Sequence, residues 1–302
     1  MPEGDSVFLV ARKLRAALDG HLLTHADLRV PAHATADLSG RTVLEHDTVG
    51  KHLLTRLSGG ITLHTHLRMD GSWNVVGAGK WLPRRLMPDV RVVLQTDGPT
   101  AFGVLLPVVE LVHTAEEHTV VGHLGPDPLR VDWNPAEALR RFAQRPERPL
   151  AAALLDQRNM AGLGNLWANE LCFLRGRSPW TPVGEVDMAP LVDLAARALQ
   201  RSATVPGAYQ VTTGNTRRGE SHWVSGRSGR PCLRCGTVVR VEAETPGDPE
   251  RRRTWWCPHC QPGPAPQGSA APGPPARDLS AGRTEGSGRA TRVPRGRYGP
   301  RR

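Results

Sequence analysis

Pro2, Glu3 and Gly4 open the chain and concentrate its chemistry. A small second residue is normally exposed when the initiator methionine is removed. Pro2 would then carry a free secondary amine. An α-amino group titrates at roughly 7.7–8.0, so a useful fraction is unprotonated at neutral pH. Such an amine attacks carbonyl-like carbon and forms an iminium, a Schiff base. Glu3 stands beside it as a proton donor or acceptor. A lysine-dependent step has only Lys13, Lys51 and Lys80 to draw on, because the other basic residues are arginines.

The second concentration of chemistry is Cys232-x2-Cys235, 21 residues, then Cys257-x2-Cys260. Two such thiolate pairs suit a closed tetrahedral zinc site with no open position, so one structural Zn2+ and no catalytic metal is expected. Strands over Thr237–Glu242 and Arg253–Trp256, with a turn at Thr245–Asp248, would form a hairpin between the knuckles. Arg251, Arg252 and Arg253 precede Thr254-Trp255-Trp256, a basic and aromatic run suited to phosphate contact. Cys172 sits in an apolar helical stretch and reads as a buried, inert thiol.

The third is the run from Leu154 to Glu170, in which a helix ends, Gly162 and Gly164 make a double turn, and Asn165 opens a new helix. Free backbone N–H groups at that start would make a phosphate site.

The elements that must position these groups follow from periodicity. Val7, Val10, Ala11, Leu14, Ala17 and Leu18 predict a helix over 5–19. Between about 22 and 120 short alternating segments predict strands: Thr42–Leu44, His52–Leu57, Ile61–Leu67, Ser72–Val76, Val90–Leu94 and Val104–Val112. Ala136–Phe142, Pro149–Leu155, Asn165–Leu174 and Ala189–Arg201 read as helices, and 206–230 as loop. The chain is thus expected to be a multidomain α+β protein. Its parts are an N-terminal helix plus an antiparallel β-sandwich or barrel (1–120), a helical domain with a double turn (130–225) and a zinc-finger hairpin (226–262). A Pro-, Gly- and Arg-rich tail (263–302) lacks the apolar residues needed to offset ordering entropy and should be disordered.

Net charge is +10, and the tail holds eight arginines against two acids. That balance favours a polyanionic partner, and the tail would add non-specific affinity by counterion release. No apolar run reaches the roughly 18–20 residues of a membrane span, and no signal peptide precedes Pro2. Two Cys-x-x-Cys pairs with an odd fifth cysteine fit a reducing cytoplasm better than a disulfide framework.

Taken together, these motifs resemble the Fpg/Nei DNA glycosylases, in the endonuclease VIII-like (Nei) branch. The matching runs are Met-Pro-Glu-Gly, Gly50-Lys51-His52-Leu53-Leu54, His66-Leu67-Arg68-Met69-Asp70-Gly71-Ser72-Trp73, the Gly162–Glu170 segment and the zinc hairpin, in family order over residues 1–261. The resemblance implies an N-terminal helix plus antiparallel β-sandwich, a helical helix-two-turn-helix domain, and the activity of a bifunctional glycosylase and AP lyase of base excision repair that cleaves the strand by β- or β,δ-elimination. Pro2 would be the nucleophile at C1′, Glu3 its acidic partner, and Lys51 the lysine beside the lesion phosphate. His66, Asn165 and Arg252 match phosphate-gripping positions, Met69 matches the wedge that fills the vacated stack, and Phe102 would assist it. The expected partner is damaged double-stranded DNA, met by a cytoplasmic, nucleoid-associated monomer. Two other readings stay open: an AP lyase with little glycosylase activity, and a zinc-ribbon DNA-binding protein without catalysis. Retained Pro2, Glu3 and Lys51 argue against the second.

Two departures from the family pattern carry information. Asp5-Ser6 stands where the family usually has Pro-Glu, so the second carboxylate is displaced or missing. Thr100-Ala101-Phe102-Gly103 stands where the purine-lesion branch has Arg-Arg-Phe-Gly. The arginine that would read the opposite base is therefore absent. This favours oxidised pyrimidines over 8-oxoguanine, with loose opposite-base preference and tolerance of bubble or single-stranded DNA. Cleavage of one oxidised pyrimidine placed opposite each of the four bases is expected to vary little; a strong preference would sink that reading.

Overall fold

The computed structural model describes residues 2–243 and 252–266. Met1, the hairpin turn at 245–248, Arg251 and most of the tail lie outside the described residues, and so do the expectations that fall on them.

Helix α1 (Gly4–Leu18) forms where the periodicity places it. Its stripe Val7, Ala11, Leu14 and Leu18 is at most 1% exposed. Burying each leucine fully contributes roughly 1.5–3 kcal/mol. The stripe packs onto a sandwich of two four-stranded antiparallel sheets. One sheet has the order β1 (His25–Leu28), β6 (Val90–Gln95), β7 (Thr100–Val104), β5 (Ser72–Val76). The other runs β2 (Val43–Val49), β3 (His52–Leu57), β4 (Ile61–His66), β8 (Val108–His113). Leu53, Leu57, Leu63 and Val109 of the second sheet face Leu14, Trp73, Val92 and Leu94 across the core.

The single strand expected over Val104–Val112 is in fact two. β7 ends at Val104, Leu105 takes the left-handed conformation (φ 50°), and β8 starts at Val108.

A short helix, α2 (His118–Val121), leads out of the sandwich. The second body holds α3 (Pro135–Phe142), α4 (Leu150–Leu155), α5 (Asn165–Leu174) and α6 (Met188–Thr204) around Phe142, Leu154, Leu163, Leu171, Leu191 and Leu199. α3 begins in the ordinary way: Pro135 is its first residue and Asn134 Oδ1 accepts the Glu137 N–H at 3.1 Å. The hairpin strands β9 (Arg240–Glu242) and β10 (Thr254–Trp256) pair antiparallel and are shorter than the sequence implies. Among the described residues, no helix is long and apolar enough to cross a membrane.

The two bodies meet backbone to backbone. The Gly4 N–H donates to the Gly162 carbonyl at 2.8 Å. A Cβ on Gly4 would lie 2.8 Å from the Gly162 Cα, closer than real Cβ atoms approach. Gly162 itself has φ +95°, a conformation a side chain would strain. Gly4→Ala should therefore lower stability by about 2 kcal/mol and Tm by about 4–8 °C, despite its better helix propensity. An unchanged melting curve would show that the junction can open without loss.

Candidate active site

Glu3 occupies the start of α5, although 161 residues separate it from Gly164. Its carboxylate accepts the N–H groups of Gly164 (2.6 Å), Leu166 (2.7 Å) and Trp167 (3.4 Å). α5 has no side-chain cap of its own, because its N-cap is Gly164. The N-terminal segment supplies the anion that the helix end favours. A Cβ at position 164 would fall 2.4 Å from the Glu3 carboxyl carbon, so only glycine leaves room.

This corrects the expectation that the α5 start is an open phosphate cradle. Glu3 already takes the N–H groups of Gly164, Leu166 and Trp167. Burial pushes the Glu3 carboxyl up to about 7, against the pull of Lys51 and the N–H groups of Leu166 and Gly164, with Asp5 adding to the rise.

Lys51 sits in the two-residue turn between β2 and β3. The turn is held by Asp127, whose Oδ2 accepts the Gly50 N–H at 2.7 Å while Oδ1 accepts the Leu129 N–H at 2.8 Å. Pro2, Lys51, His52, His66, Arg68, Met69 and Arg252 line one cavity of about 300 Å³. Glu3, Met69, Asn165, Leu166, Arg252 and Trp255 line a second of about 520 Å³. Met69 and Arg252 belong to both, so the two cavities flank one cleft between the sandwich and the helical body with its hairpin.

Residues 1–104 match the family described as formamidopyrimidine-DNA glycosylase N-terminal domain, and residues 124–205 match the formamidopyrimidine-DNA glycosylase H2TH domain. A probable endonuclease 8 2 of Streptomyces coelicolor is 52% identical over 88% of this chain and 96% of its own length. A DNA-(apurinic or apyrimidinic site) lyase Nei2 of Mycolicibacterium smegmatis is 46% identical over 86% of this chain and 99% of its own. The chain belongs to the formamidopyrimidine-DNA glycosylase family. A solved Lactococcus lactis formamidopyrimidine-DNA glycosylase, bound to DNA containing an abasic site, shares the fold with a TM-score of 0.69 at 20% identity. It covers 86% of this chain and 100% of that one.

Within this family fold the sequence-predicted residues separate into three groups. Pro2, Glu3, Lys51, His66, Met69, Asn165 and Arg252 all gather at the cleft. Met69 is 63% exposed at the tip of the β4–β5 turn. His66 Nδ1 accepts the Arg68 N–H at 2.9 Å, which leaves Nε2 as the nitrogen carrying a proton. Burial, then Lys51, Arg68 and His64, bring His66 down to about 4. His66 is thus a neutral hydrogen-bond donor, not a cation. Asn165 Nδ2 donates to the Arg253 carbonyl at 2.9 Å, and the Trp255 N–H donates to Asn169 Oδ1 at 2.8 Å. Together they dock the hairpin on α5.

Phe102 does not reach the cleft, which corrects its expected place beside the wedge. It is fully buried on β7, packed with Val90, Val93 and Val104, with the Trp81 ring 5.7 Å away. A side chain held in the sandwich cannot enter a base stack.

The four cysteine Sγ atoms all lie within 4.8 Å of one another; the Cys235–Cys257 pair is 3.5 Å apart and the Cys232–Cys260 pair 4.0 Å. Four sulfurs around one ion at about 2.3 Å would be roughly 3.8 Å apart, so the cluster can hold a single metal ion. Cys172 is fully buried, and burial raises its thiol far above the ordinary range.

Three acids have structural roles that residue order does not show. Asp5 is fully buried and accepts from Ser202 Oγ (2.6 Å) and Trp167 Nε1 (3.1 Å), tying α1 to α5 and α6. The displaced second carboxylate is therefore present but engaged inside the protein. Glu170 accepts the N–H groups of Trp223 (2.8 Å), Val224 (2.9 Å) and Ser225 (2.8 Å), fixing the loop before the cysteine hairpin. Asp127 is the third. Burial pushes its carboxyl up to about 6, against the N–H groups of Leu129 and Gly50. Its one signal in the sequence is the Pro126-Asp127-Pro128 setting.

Folded Glu3 binds its proton more tightly than the reference carboxyl at 4.5. Its proton-linked stabilisation is complete below pH 4.5 and is lost as pH rises through about 7. The Tm of the wild type minus that of Glu3→Gln should therefore fall across this window and level off above it. A difference that stays flat from pH 4.5 to pH 7 would show that Glu3 titrates as an ordinary carboxylate.

Proposed function

We propose that this chain is a bifunctional DNA glycosylase and AP lyase of base excision repair that favours oxidised pyrimidines and acts through a Schiff base on Pro2. The observation that carries this reading is the meeting of Pro2 and Lys51 in one cavity, with the Glu3 carboxyl held behind them at the α5 start.

The damaged nucleotide must leave the helix before its C1′ can be reached, at a cost of a few kcal/mol. Met69, apolar and exposed at the cleft, enters the gap and kinks the duplex. Lys51, Arg252 and the His66 N–H hold the phosphates on either side. Pro2, freed of Met1, attacks C1′ and displaces the base. Glu3 can carry a proton near neutral pH and passes it to the opening sugar. The iminium acidifies C2′, and β-elimination then breaks the bond to the 3′ phosphate.

Cys232, Cys235, Cys257 and Cys260 would hold one structural Zn2+, which keeps Arg252 and the hairpin against α5. The lack of an arginine at Thr100 and Ala101 supports loose reading of the opposite base, and hence the pyrimidine preference. The protein would work as a monomer in the cytoplasm.

Borohydride reduces an iminium to a stable crosslink. Protein shown by mass to lack Met1 should crosslink to a duplex with one abasic site and to a duplex with 5-hydroxyuracil. Pro2→Gly should abolish both adducts. An adduct on the abasic duplex alone would reduce the activity to that of a lyase. No adduct on either would leave a DNA-binding protein without catalysis.

A further inference from the structure

The cavity at Pro2 contains a histidine that the scheme above does not use. His52, the first residue of β3, lines it beside Pro2 and Lys51. His52 Nδ1 lies 2.8 Å from His64 Nε2, with the ring centroids 5.0 Å apart and the ring planes within 17° of parallel, so the two imidazoles meet edge to edge. His64 Nδ1 in turn lies 2.8 Å from Glu110 Oε2.

Strand register builds this chain. His52 pairs with His66 across β3 and β4, and His64 pairs with Glu110 across β4 and β8. His52 and His64 are therefore diagonal neighbours on one sheet face. The odd-numbered Leu53, Leu63 and Val109 turn to the opposite face and the core. The His64 side chain is 4% exposed, whereas that of Glu110 is 50% exposed.

Proton positions follow from the partners. An ionised Glu110 can only accept, so His64 donates from Nδ1. His64 Nε2 then accepts, so His52 donates from Nδ1. His52 Nε2 is left with its lone pair, and every proton in the chain points from the cleft toward Glu110.

The groups around His52 oppose a lasting charge on it. The His66 ring meets it edge-on at 4.9 Å and the His123 ring at 6.2 Å. Lys51 is adjacent, and Arg68 and Arg252 line the same cavity. Burial first, then His66, His64, His123 and Lys51, bring His52 down to about 3. An isolated imidazole so placed could not keep a proton. A relayed one need not: as Nε2 gains a proton, Nδ1 passes one to His64, and His64 passes one to Glu110 at the surface.

We propose that His52 is the proton acceptor of the β-elimination step, and that His64 and Glu110 relay the proton to solvent. The proposal rests on the Schiff-base reading above. The C2′–H bond breaks and its proton goes to His52 Nε2. Its electron pair forms C1′=C2′, giving the neutral enamine on Pro2. The enamine then forms C2′=C3′ and restores the iminium, while the C3′–O bond breaks and its pair leaves with the 3′ phosphate. No oxidant or further reactant is needed.

The test is single-turnover reaction with an abasic duplex, reading borohydride-trapped adduct and strand cleavage separately. Glu110→Gln sits at the half-exposed end of the relay, and its amide can still orient His64 without taking its proton. His52→Gln removes the acceptor itself. Glu110→Gln, which lies outside the cavity lining, is expected to form the trapped adduct at the wild-type rate, and in His52→Gln cleavage should fall by a larger factor than adduct formation. Cleavage should fall tenfold or more, leaving a longer-lived adduct. Deuterium at C2′ should slow cleavage more in Glu110→Gln than in the wild type. Cleavage at the wild-type rate with an unchanged isotope effect would overturn the proposal. So would equal loss of adduct and cleavage, which marks a supporting role in the pocket. A wild-type protein lacking Met1 that gives no adduct would instead remove the Schiff-base reading itself.

Discussion

The fold turns on one carboxylate placed at one helix end. α5 begins with a glycine that has no side chain to cap it, and its first N–H groups are answered by Glu3 from the far end of the sequence. A helix start buried without partners would be strongly unfavourable. The helix and the N-terminal segment therefore need each other, and Pro2 is fixed at the cleft by its neighbour's structural contact. The same contact sets the chemistry of Glu3. Complete burial penalises the charged form more than the helix end and Lys51 favour it, and the group settles near neutrality.

Around this point the protein uses backbone contacts where position matters most. Gly4 touches Gly162 directly, and the Lys51 turn is bound through the Gly50 N–H to Asp127 of the interdomain segment. Farther out, Asp47 at the end of β2 meets Arg130 at 2.9 Å, and Arg56 on β3 meets Glu117 at 2.7 Å. These pairs are partly exposed, and each contributes little alone. They join the β2–β3 hairpin to the segment that leads into the helical body, so the strand ends that carry Lys51 and His52 share its orientation. These contacts hold together the N-terminus, the β2–β3 turn and the α4–α5 connection, and the β4–β5 turn and the hairpin complete the cleft.

Much of this was legible in residue order, and the exceptions have physical causes. α1 announced itself because it buries one face at its proper period. β7 did not: all five of its residues are buried, so no alternation exists to read. The reversal after it is made by Leu105 at positive φ, a residue type that does not announce a turn, and the one local mark of the break is Pro107 just before β8. Pro2, Glu3, the turn at Asn165 and the arginine run at 251–253 stood out by type and spacing, whereas Lys51, His66 and Met69 were named through the family resemblance. The neutrality of His66 was not legible, because it depends on a backbone N–H two residues away and on burial. The roles of Asp5 and Glu170 were hidden for a related reason. Most of their partners are backbone and side-chain donors brought from distant segments, which local sequence does not record.

The charge states of the cleft have a common direction. A proline amine is a nucleophile only when unprotonated, and nearby cations favour that form while a nearby carboxylate opposes it. Lys51, Arg68 and Arg252 line the cavity around Pro2. An ordinary ionised glutamate at position 3 would counter them and stabilise the protonated amine. Burial lifts Glu3 until it can be neutral at the working pH, so its opposition is weakened without removing it from the site. His52 and His66 are likewise held uncharged, yet by tautomer they present opposite functions: a lone pair at one and an N–H at the other. The proposed chemistry requires an amine free of its proton, a group able to give one and a group able to take one. Burial and hydrogen-bond direction supply these states from side chains whose unperturbed titrations would set them differently.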